Sequence, residues 1–334
     1  MMKKFISGVL VAIMGLSGLI GCSNNGSSNE NSVDGIKAKK VRIATQKALG
    51  AADILVAKEK GFLEEELKEY GVEIEWTNFE SGPPMNESFA AGGQDIGYIG
   101  DVPLIIAKAS GQKTVTIANA GYNPNTSALV VAKDSNIKDV SELKGKKVAF
   151  VKGSFGHHLL GKLLSNAGLS FKDIEEVNLP IADIANTVQS KQADAGIIWD
   201  PNLIKAVKNN QVKVLADGSN GVKRNAAYYF ATEEFAKDNP KIIVAYVKAI
   251  EKANKFISEN PDEAAELLVG VTNISKEDIL EVFANYNYSP SINDEDITEL
   301  KEVNDFLKEN DLIQSKIDID SFVDLKYLKE AGIQ

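Results

Sequence analysis

The residues with chemistry to offer gather in a few short loops. Lys152-Gly153-Ser154-Phe155-Gly156-His157-His158 lies between two apolar runs. Ahead of it, Lys147 to Val151 is short and β-branched, the pattern of a buried strand. After it, Leu159, Leu160, Leu163, Leu164 and Ala167 recur at helical spacing until Gly168 stops the run. A strand that feeds a helix through a Gly/Ser loop leaves free backbone N–H groups and the positive end of the helix dipole facing one point. Ser154 can cap that end, and Lys152 adds a full charge nearby. The chemistry predicted is capture of an anion. Ser81-Gly82-Pro83 and Gly100-Asp101-Val102-Pro103 open helices in the same way, with a proline where the first helical turn tolerates it. Opposed amide clusters suit a tetrahedral or trigonal anionic head. Three or four charge-assisted contacts, at about 1.5–3 kcal/mol each, support micromolar binding. Arg42 and Arg224 are the only arginines, so a salt bridge is not the obvious capture device. The plainer reading is that these are ordinary helix starts.

Other chemistry is weaker. His157 and His158 are the only histidines, and neighbours in a helix point to different faces, so a shared metal is not expected. One of them, His157, can face a cleft and donate to a ligand oxygen. A Ser154–His157 nucleophilic pair lacks a third member and an evident oxyanion arrangement, so no enzyme is expected. Trp199-Asp200-Pro201 ends a strand; Trp199 can form an aromatic wall, and Asp200 either serves a ligand cation or caps the next helix. Tyr122, in a turn, either lines the opposite wall or packs in the core.

The elements that must hold these loops alternate strand with helix. Strands are read at Lys40–Thr45, 72–79, 95–99, 114–120, 127–133, 147–151, 174–179, 193–198, 212–216 and 225–232, with helices between and a helical remainder. Such alternation predicts an α/β protein with mainly parallel sheet covered on both faces, its ligand beyond the carboxyl ends of the strands. The length of 334 residues suits about two domains. The first lobe is read as discontinuous, 39–133 plus 225–334, around a second lobe at 134–224. Two crossings make a hinge, and the cleft between the lobes is the default pocket.

The amino-terminal stretch, 1–21, reads as a secretion signal: Lys3 and Lys4, then an apolar run too short for a stable span. Cys22, the only cysteine, follows Leu19-Ile20-Gly21 in a pattern similar to a bacterial lipobox, which implies cleavage before Cys22 and a lipid anchor on it. No thiol then remains for a disulfide, metal or nucleophile. Residues 22–38, rich in Ser, Asn and Gly at their start, read as a flexible tether. The formal net charge is −10, and no basic stripe appears, which argues against nucleic acid. A small anion held by oriented amides remains compatible with that charge.

Several motifs come in one order: Asn78-Phe79-Glu80-Ser81-Gly82-Pro83-Pro84, Asp95-Ile96-Gly97-Tyr98-Ile99-Gly100-Asp101-Val102-Pro103, Gly145-Lys146-Lys147-Val148-Ala149, Lys152-Gly153-Ser154 with His157, and Trp199-Asp200-Pro201. That order resembles the solute-binding proteins of ABC importers for aliphatic sulfonates, taurine and nitrate, over about Lys40 to Asp262. The resemblance implies a two-lobed type II periplasmic-binding-protein fold that closes on its ligand, with a hinge and an interlobe cleft. It implies ligand loops at Gln46, Ser81, Gly82, Gly100, Asp101, Ser154, His157, Trp199 and Asp200. It also implies a membrane permease as partner, an extracytoplasmic address at the cell membrane, and no cofactor; a monomer is expected. Ser127 stands where many relatives have Glu ahead of an Ala-x-Leu-Val strand, and Phe155-Gly156 replaces a common Asn-Val. The missing carboxylate favours an alkanesulfonate with an uncharged tail over taurine, though Asp200 remains for an amine. A receptor for nitrate or for a thiamine-pyrimidine precursor stays open, with Trp199, Tyr122 and Asp101 available to stack and pair. The fold also resembles pyrimidine-synthesis and desulfinase proteins, but those rely on cysteine or iron-binding clusters.

Overall fold

Ten strands fall into two mixed sheets in this computed structural model, which describes residues 35–333. The expected signal, Cys22 and the first part of the tether lie outside the described residues. The chain starts with β1 (Lys40–Gln46), α1 (Ala52–Lys60), α2 (Phe62–Leu67), β2 (Glu73–Phe79), α3 (Gly82–Ala90), β3 (Ile96–Gly100), α4 (Asp101–Ala109) and β4 (Thr114–Tyr122). It crosses at 123–126 into β5 (Ser127–Ala132), β6 (Lys147–Phe150), α5 (Phe155–Asn166), β7 (Glu175–Asn178), α6 (Ile181–Gln189), β8 (Ala195–Trp199), α7 (Asn202–Lys208) and β9 (Val212–Asp217). It returns at 218–225 into β10 (Ala226–Thr232) and ends in helices. These are α8 (Glu233–Asp238), α9 (Pro240–Glu259), α10 (Pro261–Thr272), α11 (Lys276–Asn285), α12 (Asp294–Glu309), α13 (Ile319–Phe322) and α14 (Lys326–Ala331).

The strand orders are β2-β1-β3-β10-β4 and β7-β6-β8-β5-β9. The first three strands of each sheet are parallel, but β10 runs antiparallel to β3 and β4, and β5 antiparallel to β8 and β9. The mainly parallel sheets expected from the alternation are therefore mixed. The reason is connectivity: β5 and β10 are each entered straight from the other sheet, with no crossover helix to turn the chain parallel. Both are apolar on both faces and buried along almost all their length, as a central strand under two helical layers must be. β5 also departs from the expected lobe limit at 133. Two strands joined by four residues look like neighbours, yet β5 pairs in the second sheet and the turn before it is the crossing.

The two crossings are tied together. The Pro124 carbonyl accepts from the Gly218 amide at 3.0 Å and from Asn225 Nδ2 at 2.8 Å. Gly218 has to be glycine: a Cβ there would stand 2.2 Å from the Lys223 carbonyl oxygen and 2.7 Å from that of Pro124. Each sheet is covered on both faces. Side chains of α1, α2, α9 and α14 fill one side of the first sheet, and α4, α12 and α13 the other. On α9, Ile242, Tyr246, Ile250, Ala253 and Ile257 recur every three to four residues and form the buried stripe. In the second sheet α6 and α7 cover one face and α5 the other. No helix among the described residues is long and apolar enough to cross a membrane.

Candidate functional site

Strand ends from both sheets meet at one cavity of about 30 Å³, room for one or two waters. The first sheet brings Gln46 at the end of β1, Tyr98 and Gly100 at the end of β3, and Ala226 and Ala227 at the start of β10. The second brings Trp199 at the end of β8, then Asp200 and Phe155, while Thr126 and Asn225 come from the two crossings. Ala48 and Gly50 add the turn ahead of α1, and Tyr286 adds the chain after α11. Phe155 reaches across from the second lobe: its ring lies 4.8 Å from that of Trp199 and against Gly100, where a Cβ would stand 2.9 Å from it. Two wider grooves flank the cavity. One, of about 400 Å³, runs between α7 and α11; the other, of about 370 Å³, runs between Asn78–Glu80 and the starts of α6 and α7. Asp200 lines the cavity and both grooves.

The helix starts at this end of the molecule carry no side-chain caps. The residues at the N-caps of α1, α3, α4 and α5 are Ala51, Ser81, Gly100 and Ser154, and none gives a side-chain hydrogen bond to the first turn. Ser154 was expected to cap α5; instead its hydroxyl donates backwards to the Val151 carbonyl at 2.8 Å. That bond holds the loop and leaves the first-turn amides of α5 without a side-chain acceptor. The cavity wall contains no Lys, Arg or His, and Asp200 is its only carboxyl group. Its other polar groups are neutral: Gln46, Thr126, Asn225 and the phenols of Tyr98 and Tyr286, which burial keeps protonated by pushing them up. Several buried polar atoms here have no partner, among them Thr45 Oγ1, Ser127 Oγ, Asp200 Oδ1 and Asn225 Oδ1. Buried polar groups are ordinarily paired, so such a group is one to explain.

Of the residues expected at the site, Gln46, Gly100, Trp199 and Asp200 line the cavity. Ser127 is fully buried and paired in register with Trp199, one residue from the lining Thr126. Ser81 and Gly82 start α3 beside the second groove, Gly82 buried beneath Pro103, and neither lines the cavity. His157 is not a cleft donor. Its Nδ1 accepts from the Gly153 amide at 3.3 Å, and its ring is enclosed by Phe150 and Phe171, both at 4.8 Å, and Phe306. Burial, then Lys152, lowers it to about 4, so it is neutral. His158 packs on Phe306 at 4.6 Å and is likewise held far down by burial. Tyr122 does not reach the cavity either; the Arg224 guanidinium lies 3.8 Å over its ring.

Asp101 has a different partner from the one expected. It is wholly buried and ion-paired with Lys223, whose ammonium also lies 3.5 Å from Glu299. Burial pulls Lys223 down, but Asp101 and Glu299 outweigh it and leave it raised. Lys223 belongs to the second crossing and Asp101 opens α4, so this pair anchors the returning chain to the first lobe. Sequence reasoning missed Tyr98, Thr126, Phe155, Asn225 and Tyr286. Thr126 and Asn225 flank strands that follow a crossing, a signal available only once the crossings are known. Tyr286 follows α11 in a stretch that reads as plain helical remainder.

Two sheets joined by two tied crossings, with helix starts closing on a shared cavity, are the architecture of the two-lobed periplasmic binding proteins. The chain belongs to the NMT1/THI5-like family, whose profile matches residues 50–264. A Bacillus subtilis (strain 168) protein named for binding aliphatic sulfonates is 32% identical over 99% of this chain and 97% of its own. A similarly named Escherichia coli (strain K12) protein is 31% identical over 92% and 93%. Among solved structures, the periplasmic aliphatic sulphonate binding protein SsuA from Escherichia coli is 31% identical, with a TM-score of 0.74 over 86% of this chain and 92% of that one.

Proposed function

We propose that this chain is the extracytoplasmic solute-binding component of an ABC importer, capturing a small organic anion and delivering it to a membrane permease. The observation that carries the reading is the pairing of helix starts without N-cap side-chain bonds with a hydrogen-bonding cavity wall rich in neutral polar groups. Oriented amides stabilise a negative head without a cation, and the apolar rings of Phe155 and Trp199 suit a short tail. The names of the relatives support a sulfonate as that anion, and the paired rings of Phe155 and Trp199 support an alkanesulfonate ahead of taurine or nitrate. Phe155 bridging the lobes supports opening before a ligand larger than water can enter. The strand pairing supports lobes of about 35–122 with 226–333 and of 127–217, hinged at the two crossings. A lipid on Cys22 would hold the receptor, as a monomer, at the outer face of the cell membrane. No catalysis is proposed.

Titration calorimetry against methane-, ethane- and butanesulfonate, taurine, nitrate and sulfate tests this. Saturable binding of the alkanesulfonates without turnover is expected. Absence of heat with every oxyanion would overturn the ligand class.

A further inference from the structure

Asp200 is the one lining residue whose chemistry opposes the proposed ligand. It follows β8, is 5% exposed, and lines the cavity and both grooves. The Ile204 backbone amide points at its carboxyl group, while Oδ1 has no partner. An ionised Asp200 would set an unpaired negative charge in the wall of a cavity meant for an anion. No Lys, Arg or His lines the cavity to neutralise it. On α7, Lys208 is engaged by Asp278, and Lys205 donates to the Thr272 carbonyl at 2.9 Å. From α11, Asp278 and Glu281 face the groove as further negative charges. Lys47 and Glu80 stand at the other groove, and the phenols of Tyr286 and Tyr288 complete the surroundings.

We propose that Asp200 enters the ligand complex as its neutral acid, donating the hydrogen on Oδ1 to an oxygen of the anionic head. This rests on the receptor reading above and deepens it. The carboxyl then acts as a donor aimed into the cavity, and its second oxygen keeps accepting from Ile204. Ligand and proton are bound together, so the site prefers a fully ionised oxyanion and discriminates against an ammonium group at this end. The electrostatics agree: burial first, then Asp278 and Glu281, push Asp200 up to about 8, so the acid form predominates at neutral pH. Asp53, buried and hydrogen-bonded by Tyr229 at 2.5 Å, is pushed to about 7, but it lies outside the cavity wall.

The test is methanesulfonate titration from pH 6 to 9.5 in sulfonate-free amine buffers. The ligand stays ionised throughout, so any pH dependence belongs to the protein. Affinity should hold below about pH 7 and weaken about tenfold by pH 9, following the neutral fraction of one group. Near pH 8 the measured heat should vary with the ionisation heat of the buffer, because binding draws a proton. D200N, which keeps a donor but cannot ionise, should bind several-fold less tightly at pH 7 and show no loss between pH 7 and 9. Saturable binding with a flat wild-type profile overturns this inference alone, as does a D200N protein that keeps the wild-type decline. No binding at any pH overturns the receptor reading as well.

Discussion

Helix starts at the cavity end and helix starts elsewhere in the molecule are built differently. Away from the cavity, Thr232 accepts from the Phe235 amide at 3.3 Å, Ser275 accepts from that of Asp278, and Asn293 forms a full capping box with Asp296. Ahead of α13, Asp318 accepts from the Asp320 amide at 3.2 Å. At the cavity end, the N-cap residues of α1, α3, α4 and α5 make no such bond, although Ser81 and Ser154 are residue types that cap well; within the first turns, Asp53 accepts from Ile54 and Asp101 from Val102. A missing cap costs about 1 kcal/mol. On the proposed reading, that stability is withheld at α5, whose first-turn amides are worth more to a ligand than to the helix. Helices α2, α9, α10 and α14 also lack side-chain caps; α9 and α10, like α3 at the cavity end, carry proline in the first turn, which removes an orphan donor.

Breaking the contrast from the cavity side should have the largest effect. In Ser154→Asp, a carboxylate caps α5 and occupies the place proposed for the anion. Binding of methanesulfonate should fall by roughly 100-fold, about 3 kcal/mol, while thermal stability changes by no more than about 1 kcal/mol. Undiminished binding would mean that the α5 amides hold no ligand. Phe155→Ala comes next. Losing a half-buried ring that bridges Gly100 and Trp199 should cost about 2 kcal/mol of stability by denaturant titration and shift preference from methane- towards butanesulfonate. An unchanged preference would detach Phe155 from the ligand tail. Asn293→Ala breaks the contrast from the other side. It should lower stability by about 1 kcal/mol through the lost capping box and leave sulfonate affinity where it was. If affinity fell in step with stability, the two classes of helix start would not be separable.

Part of the site was legible in the sequence, and the gaps have physical causes. The positions of Gln46, Gly100, Trp199 and Asp200 follow from local pattern, because a strand end followed by a helix start places its loop at the same edge of an α/β sheet. The sheet that β5 joins could not be read, since pairing is a non-local choice and its apolar run fits either sheet equally. Ser154 looked like a cap because residue type suggests an acceptor; its hydroxyl found a carbonyl three residues back instead. Asp101 looked like a ligand residue until Lys223, 122 positions away, supplied its counter-charge. His157 was expected to donate in the cleft, yet Phe150, Phe171 and Phe306 from three separate elements enclose the two imidazoles.

The smallest effect probes the far wall of the groove. Glu281→Gln removes one of the negative charges that raise Asp200. The sign follows from linkage. A carboxyl group whose folded-state value lies above its unfolded one contributes stability in full below about pH 4, and loses it as pH rises through about 8. Lowering the folded value reduces that loss, so the variant should be slightly more stable than wild type at pH 9 and indistinguishable from it at pH 4. Ligand binding should move the opposite way. With Asp200 ionising earlier, the decline in sulfonate affinity should begin a few tenths of a pH unit lower. Glu281 is exposed, so its influence crosses solvent and is screened within about 8–10 Å at moderate salt. The shift should therefore appear in 20 mM salt and fade by 500 mM. A shift that survives high salt would mean that the substitution had moved α11 against α7, and the groove charges would no longer account for the state of Asp200.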